Sequence, residues 1–136
     1  MQKAALIPEL IVSDLSRSLS FYCELLGFQI LYDRVEDGFA SLIRGEAEIM
    51  LEGLSESRSF WLTAALEMPF GRGINFQIAV DNAQALAARV AQAGHPFFKD
   101  LHEARYRTGT GTISQRQFII QDPDGYLLRF AERISI

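Results

Sequence analysis

The sequence predicts one small α+β domain made of two tandem copies of a βαβββ unit. The first observation behind this prediction is an internal repeat, because aligning Asp14 with Asp81 also aligns Gly27 with Gly94 without a gap. The second is that each half reads as a strand, an amphipathic helix, a glycine stop and further strands. The third is composition, since 136 residues with 49% hydrophobic content and ten Phe provide enough apolar surface for a core.

The repeat divides the chain into two modules and a linker. Module one is predicted to cover about residues 4–54, and module two is predicted to cover residues 74–136. The linker, 55–73, contains Phe60 and Trp61, and its apolar spacing predicts a short helix that a proline ends. These aromatic side chains either pack on the core or on a second subunit, or they stack on a ligand. Both interpretations remain open at the level of sequence.

The first module is predicted to open with a strand and an amphipathic helix. Ser13 and Asp14 are suited to cap the helix N-terminus, and Gly27 supplies a left-handed stop after about residue 26. Between them, apolar residues recur at spacings of three and four, which places them on one stripe of the helix. The predicted strands are 6–12, 28–35, 39–44 and 47–51.

The second module repeats this order. Its helix is predicted over about residues 82–93, before a stop at Gly94. The Asp-Pro-Asp-Gly sequence from Asp122 to Gly125 is a strong turn signal. Residues 105–114, rich in Thr, Gly and Arg, are predicted to form a mobile loop. The predicted strands are 74–80, 96–100, 115–121 and 126–132.

One face of each predicted strand packs on a helix, and the other face is free to line a cleft. The polar residues of this second face are Glu9, Glu52, Asn75, Gln77 and Arg129. A solvated surface has the same alternation, so residue parity alone fits either a surface or a cleft. Because the face also carries apolar residues such as Ile11 and Met50, the mixture favours a small-molecule pocket.

Charge and composition argue against two classes of partner. The net charge of −4 and the scattered basic residues lack the electrostatic pattern of a nucleic-acid binder. No stretch approaches the roughly 20 apolar residues that a membrane span requires. The single cysteine, Cys23, has no partner for an internal disulfide, which fits a reducing compartment. A cytoplasmic protein without nucleic-acid or membrane partners is therefore expected.

Several short motifs occur in order along nearly the whole chain. They are Ile11-Val-Ser-Asp-Leu15, Ser18-Leu-Ser-Phe-Tyr22, Leu26-Gly-Phe28, Val80-Asp-Asn-Ala83 and Gln121-Asp-Pro-Asp-Gly-Tyr126-Leu-Leu-Arg-Phe130. Together with the repeat, this set resembles the vicinal oxygen chelate superfamily of glyoxalases, bleomycin resistance proteins and dioxygenases. The resemblance implies paired βαβββ modules whose curved mixed sheet forms a half-open barrel around a cleft, commonly in a homodimer.

Metal-dependent members of that superfamily hold a divalent ion with His and Glu side chains. The resemblance assigns those positions to Ile7, Asn75, Glu52 and Arg129. An alkyl group has no lone pair, an amide is a poor ligand, and a guanidinium repels a metal ion. Only Glu52 is a suitable donor. The chain is therefore similar to the metal-free bleomycin-resistance branch, and neither a metal nor a cofactor is expected.

The same resemblance implies which residues bind a ligand, because aromatic side chains in that branch sandwich planar parts of the drug. The aromatic candidates are Phe39, Trp61 and Tyr106. The polar candidates are Glu9, Glu52, Asn75, Gln77 and Arg129. Core packing is an alternative role for Phe39, and simple exposure is an alternative for Tyr106.

The sequence thus predicts a homodimeric, metal-independent protein that sequesters a small aromatic or cationic molecule, such as an antibiotic of the bleomycin type. Glu9 and Glu52 would attract a positive charge on that ligand. Two alternatives remain open. One is a glyoxalase or dioxygenase with an unorthodox metal site, and the other is a metal-free isomerase or lyase with Glu9 or Glu52 as general base.

Overall fold

The computed structural model describes residues 4–135, which divide into two compact units. The first unit ends at Phe70 and the second begins at Gly71. Each unit contains one four-stranded mixed sheet, and its elements follow the order βαβββ. The predicted α+β class with paired modules is confirmed, with the eight strands divided equally between two sheets.

The first unit builds its sheet from the strands that the sequence pattern predicts. These strands are β1 (Glu9–Val12), β2 (Gln29–Arg34), β3 (Phe39–Arg44) and β4 (Ala47–Gly53). The sheet order is β1-β4-β3-β2, with β1 parallel to β4 and the other pairs antiparallel. Leu10 and Val12 are buried whereas Glu9 is exposed, so the predicted alternation of faces is confirmed. The first strand starts later than predicted, and Leu6 before it is 84% exposed.

The helix of the first unit changes type along its length. It begins as α1 (Leu15–Leu19), where the Asp14 carboxylate accepts the backbone N–H of Arg17 at 3.1 Å. It continues as a π-helical segment over Ser20–Leu25. The prediction of one regular helix was wrong in this second half. The wider π turn accompanies the burial of two adjacent aromatic residues, Phe21 and Tyr22. The three-and-four spacing predicts the burial of Tyr22 but not that of Phe21.

The second unit has the same connectivity as the first. Its elements are β5 (Asn75–Ala79), α2 (Ala83–Gln92), β6 (Lys99–Thr108), β7 (Gly111–Gln121) and β8 (Leu127–Ser135). The sheet order is β5-β8-β7-β6, with β5 parallel to β8. The Asn82 side chain caps α2 by accepting the N–H of Ala85 at 2.9 Å. Leu86 and Val90 of this helix are buried.

The turn between β7 and β8 is organised by one buried carboxylate. Oδ1 of Asp122 accepts the backbone N–H groups of Asp124, Gly125 and Tyr126, each at 2.9 Å. Asp122 is only 4% exposed, so these three donors compensate for the cost of burying its charge. The predicted turn is therefore confirmed, and it fixes the register in which β8 returns along β7.

Residues 105–114 form a regular hairpin, so the prediction of a mobile loop was wrong. β6 runs through to Thr108, β7 starts at Gly111, and pairing continues to the Thr108–Gly111 pair. Tyr106 and the threonines of this segment have strand-favouring side chains, and this preference outweighs the glycines that suggested a loop. The strand predicted at 96–100 starts only at Lys99, after Pro96, which lacks a backbone donor.

The linker contains no helix over 60–66, so that prediction was also wrong. Trp61 is 99% exposed and Leu62 is 44% exposed. A seven-residue amphipathic segment is too short to be a stable helix without packing of its apolar face, and these side chains have little packing in the chain. Among the described residues, no helix is long and apolar enough to cross a membrane.

Candidate functional site

The first unit has a groove of about 430 Å³ beside the β1 and β4 strands. Its lining residues are Glu9, Ile11, Glu52, Ser59 and Trp61. The β1–β4 register explains how the groove forms, because Ile11 is paired with Glu52, and Glu9 lies two residues earlier on the same face. Ser59 and Trp61 come from the linker, so strand and linker residues share the groove.

The two carboxylates of the groove influence each other. Partial desolvation raises the pKa of Glu9, repulsion from Glu52 raises it further, and Arg34 lowers it. Glu52 also forms an ion pair with Arg58, whose Nε lies 4.0 Å from a Glu52 carboxylate oxygen. Arg58 is also held in place by a hydrogen bond that its Nη2 donates to the carbonyl oxygen of Gly53. The groove thus combines two acidic groups with one fixed cation at its side.

Trp61 provides an unused aromatic surface at this groove. Its side chain is 99% exposed, which is unusual for the largest apolar side chain in a folded protein. A planar ligand that entered the groove would have both a stacking surface and two acidic groups within the same site. This combination suits a cationic or aromatic molecule.

Phe39 lies on the same sheet face as Glu52, but its ring is covered by the side chain of Arg34. It is paired with Glu52 across β3 and β4, and it is 5% exposed. The guanidinium of Arg34 sits 4.1 Å from the Phe39 ring centroid, and the Tyr32 ring lies 5.9 Å away. Direct ligand contact with Phe39 therefore requires Arg34 to move, and in this structure the side chain packs in the sheet.

The second unit brings together three of the predicted polar residues on one sheet face. Gln77 of β5 is paired with Arg129 of β8, and Asn75 lies two residues before Gln77 on the same face. Both carboxamide residues are exposed. The Tyr106 hydroxyl oxygen lies 3.5 Å from Nη1 of Arg129, so the predicted aromatic residue of β6 joins this group. Tyr106 is 40% exposed.

A hydrogen-bond network supports Tyr106 from inside the sheet. Nε2 of Gln117 donates to the Tyr106 hydroxyl at 2.8 Å and contacts Nε2 of His102 at 3.1 Å. The side-chain oxygen of Gln117 accepts from Nε2 of Gln115 at 3.1 Å. Both glutamines are buried, so the contact between them is protected from water, whereas the contacts with Tyr106 and His102 are partly buried. The network fixes the position of the Tyr106 hydroxyl relative to Arg129.

The sequence reasoning missed several of these residues. Gln115 and Gln117 alternate with the buried Phe118, and this period-two pattern could have placed them on the Arg129 face. His102 lies outside the strands predicted from the sequence, yet it is paired with Gln117 in the hairpin. Arg34 carried no local signal, since its role depends on the ring of Phe39 beneath it.

The four positions at which the resemblance would place metal ligands are poorly suited to a metal ion. Ile7 has no donor atom, Asn75 offers only a weakly ligating amide, and Arg129 brings a permanent positive charge. Glu52, the one suitable donor, is engaged with Arg58. Within residues 4–135, no group of three His, Cys, Asp or Glu side chains is arranged to hold a metal ion.

The family model and the related protein that the chain matches both include bleomycin resistance proteins. The chain matches the model described as Glyoxalase/Bleomycin resistance protein/Dioxygenase superfamily over residues 5–130. It is 29% identical over 131 residues to a bleomycin resistance protein from Geobacillus stearothermophilus, covering 95% of this chain and 96% of that protein.

Two solved structures have the same fold. TioX from Micromonospora sp. ML1 has a TM-score of 0.74 with 18% identity, covering 97% of this chain and 100% of that chain. Lactoylglutathione lyase from Agrobacterium tumefaciens has a TM-score of 0.63 with 17% identity, covering 97% of this chain and 96% of that chain. At these identities the likeness concerns the fold alone.

Proposed function

Because this chain belongs to the Glyoxalase/Bleomycin resistance protein/Dioxygenase superfamily, we propose that it binds and sequesters a small organic molecule without a metal ion. The observation that carries this proposal is the groove in which two carboxylates lie beside the exposed Trp61. Similarity to bleomycin resistance proteins supports ligand sequestration at the level of the family. The poor donor set at Ile7, Asn75 and Arg129 supports a mechanism without a metal.

The groove favours a planar ligand with a positive charge. Trp61 supplies a stacking surface, and Glu9 with Glu52 supplies a negative field that attracts ammonium or guanidinium groups. A bleomycin-type antibiotic combines these features, so it is the first ligand to test. Binding needs no covalent step, because sequestration lowers the free concentration of the molecule by affinity alone.

The exposed linker also supports a homodimer as the functional form of the protein. The linker exposes apolar side chains that a monomer in water would leave without packing. They include Trp61 and Leu62. We therefore include in the proposal that residues 4–54, the linker and residues 74–136 act as one binding domain in a dimer.

Calorimetric titration with bleomycin tests the proposed function. We expect heat of binding and a rise in melting temperature for the wild type. Trp61→Ala and Glu52→Gln should each weaken binding by about 10-fold, which corresponds to roughly 1.4 kcal/mol. Glu46→Gln is the matched control, since Glu46 is an exposed carboxylate in the β3–β4 turn, outside the groove. Absence of heat and of thermal shift with both bleomycin and the cationic dye proflavine would exclude the proposal.

One observation favours a second function. The raised pKa of Glu9 makes its carboxylate a better proton acceptor, as a general base in a metal-free isomerase or lyase requires. Turnover of a carbon acid that follows the ionisation of Glu9 and disappears in Glu9→Gln would support this function. Turnover that persists in Glu9→Gln would exclude Glu9 as the general base.

A further inference from the structure

We propose that the Arg129 face of the second unit binds an oxyanion, most directly the carboxylate group of a ligand. The proposal rests on the proposed binding function and names the ligand chemistry that the second unit would recognise. It assigns a role to residues that the acidic groove of the first unit does not use. Four features of this face support it, and each concerns residues within the second unit.

The first feature is that Arg129 has unused hydrogen-bond capacity. Its Nε atom is buried and has no hydrogen-bond partner, and its Nη1 makes only the 3.5 Å contact with Tyr106. Among residues 4–135, no carboxylate forms an ion pair with Arg129. A guanidinium has five N–H donors in a planar fork, and a buried donor without an acceptor is costly. A carboxylate ligand would accept hydrogen bonds from the Nη groups of this fork.

The second feature is the direction of the Tyr106 hydroxyl hydrogen. Nδ1 of His102 lies 2.8 Å from the carbonyl oxygen of Asp100, which only accepts, so Nδ1 carries the hydrogen. In the neutral imidazole Nε2 then accepts from Gln117, which also donates to the Tyr106 oxygen. Because the Tyr106 oxygen is already an acceptor in this network, its own hydrogen is free to donate to a ligand.

The third feature is the distribution of carboxylates in the sheet. Glu103 and Glu132 lie on the opposite parity from Arg129, and both form ion pairs with Arg116, at 3.6 and 3.8 Å. These acidic groups are therefore directed to the other face of the sheet. On the Arg129 face, Lys99 pairs with the strand position next to Arg129 and adds positive charge.

The fourth feature is the presence of two exposed carboxamides. Gln77 is paired with Arg129, and Asn75 lies two residues before Gln77 on the same face. Their NH₂ groups donate to oxygen acceptors at the edges of the site. A fixed cation, a free hydroxyl donor and two amides form a set that an anionic oxygen group satisfies and an ammonium group does not.

The test compares two ligands with the same ring system, one with an anionic carboxylate and one with a neutral carboxamide. Calorimetry with 2-naphthoate and its neutral analogue 2-naphthamide should show at least about 10-fold tighter binding of the carboxylate by the wild type. Arg129→Gln should reduce this ratio to about one, and Tyr106→Phe should reduce it by about 3-fold. Arg107→Gln is the matched control, because Arg107 is an exposed arginine of the same strand as Tyr106 with opposite parity.

A spectroscopic measurement keeps the test independent of folding defects in a variant. In the wild-type protein, naphthoate should shift the side-chain N–H resonance of Arg129, assigned with Arg129→Lys, whereas naphthamide should not. Equal affinity for the two probes, no binding of naphthoate, or an unchanged ratio in Arg129→Gln would overturn the oxyanion site. Bleomycin binding that persists in those cases would leave the proposed function standing, so the two failures are distinguishable.

Discussion

At the scale of single residues, the candidate site depends on charges that strand alternation places on one face. Parity predicted that Glu9 and Glu52 share a face, and the β1–β4 register agrees. Parity could not predict that Arg58 pairs with Glu52 or that Arg34 covers Phe39, because those contacts depend on side-chain reach. Residue types and alternation therefore identify the polar groups, whereas their partners are visible only in the three-dimensional structure.

The pKa of Glu9 gives a prediction about pH. In the folded protein this carboxyl keeps its proton above the ordinary value of 4.5, because of desolvation and the charge of Glu52. Between the unfolded and folded pKa values, the folded state binds more protons, so the free energy of unfolding decreases as pH rises through that window. Glu9→Gln should remove this dependence and raise stability at pH 7 by about 0.5 kcal/mol or less, since the residue is exposed.

This effect is measured by urea unfolding of the wild type and of Glu9→Gln. The free energy of unfolding is determined at several pH values between pH 4 and pH 8, on both sides of about 4.5. Glu46→Gln serves as the control, because it removes an equal charge outside the groove. Parallel pH profiles for the wild type and Glu9→Gln would contradict the assigned cause.

At the scale of elements, turn chemistry was more informative than composition. The Asp-Pro-Asp-Gly signal predicted the β7–β8 turn, because one aspartate there can accept several backbone donors. The glycines and threonines of 105–114 gave the wrong prediction, since strand pairing with a neighbouring strand is not visible in a local window. The linker helix failed for a related reason, because its apolar spacing has no surface to pack on within the chain.

Asp122 provides the prediction at this scale. Asp122→Ala removes the acceptor of three backbone N–H groups, and we expect it to lower the free energy of unfolding by about 3 kcal/mol. Asp122→Asn retains a side-chain oxygen at the same position and should cost less than half as much. Chemical denaturation followed by circular dichroism measures both values. Equal losses in the two variants would show that charge, instead of the accepted hydrogen bonds, stabilises the turn.

At the scale of the whole molecule, the internal repeat was the most reliable feature of the sequence. It predicted two modules with the same connectivity, and both sheets have the first strand parallel to the last. A repeat encodes the order of elements, because each copy has the same pattern of apolar residues and turns and therefore packs in the same way. It does not encode the differences between the copies, such as the acidic groove in one and the Arg129 face in the other.

The proposed dimer gives the prediction at this scale. Sedimentation equilibrium should yield twice the 15.3 kDa mass of one chain at micromolar concentration. Leu62→Glu and Met68→Glu introduce charges on exposed apolar linker residues and should raise the dimer dissociation constant at least about 10-fold. Thr63→Glu is the matched control in the same linker. A wild-type protein that is monomeric at every concentration would contradict the dimer.

The parallel pairing of β1 with β4 has a consequence for biosynthesis. Among the described strands of the first unit, β1 pairs laterally with β4 alone, although β2 and β3 are synthesised between them. Until β4 (Ala47–Gly53) has emerged, the strand-pairing amide and carbonyl groups of β1 therefore stay solvated, while β2 and β3 are already able to pair as a hairpin. We therefore expect β1 to join this sheet after β2 and β3 have paired.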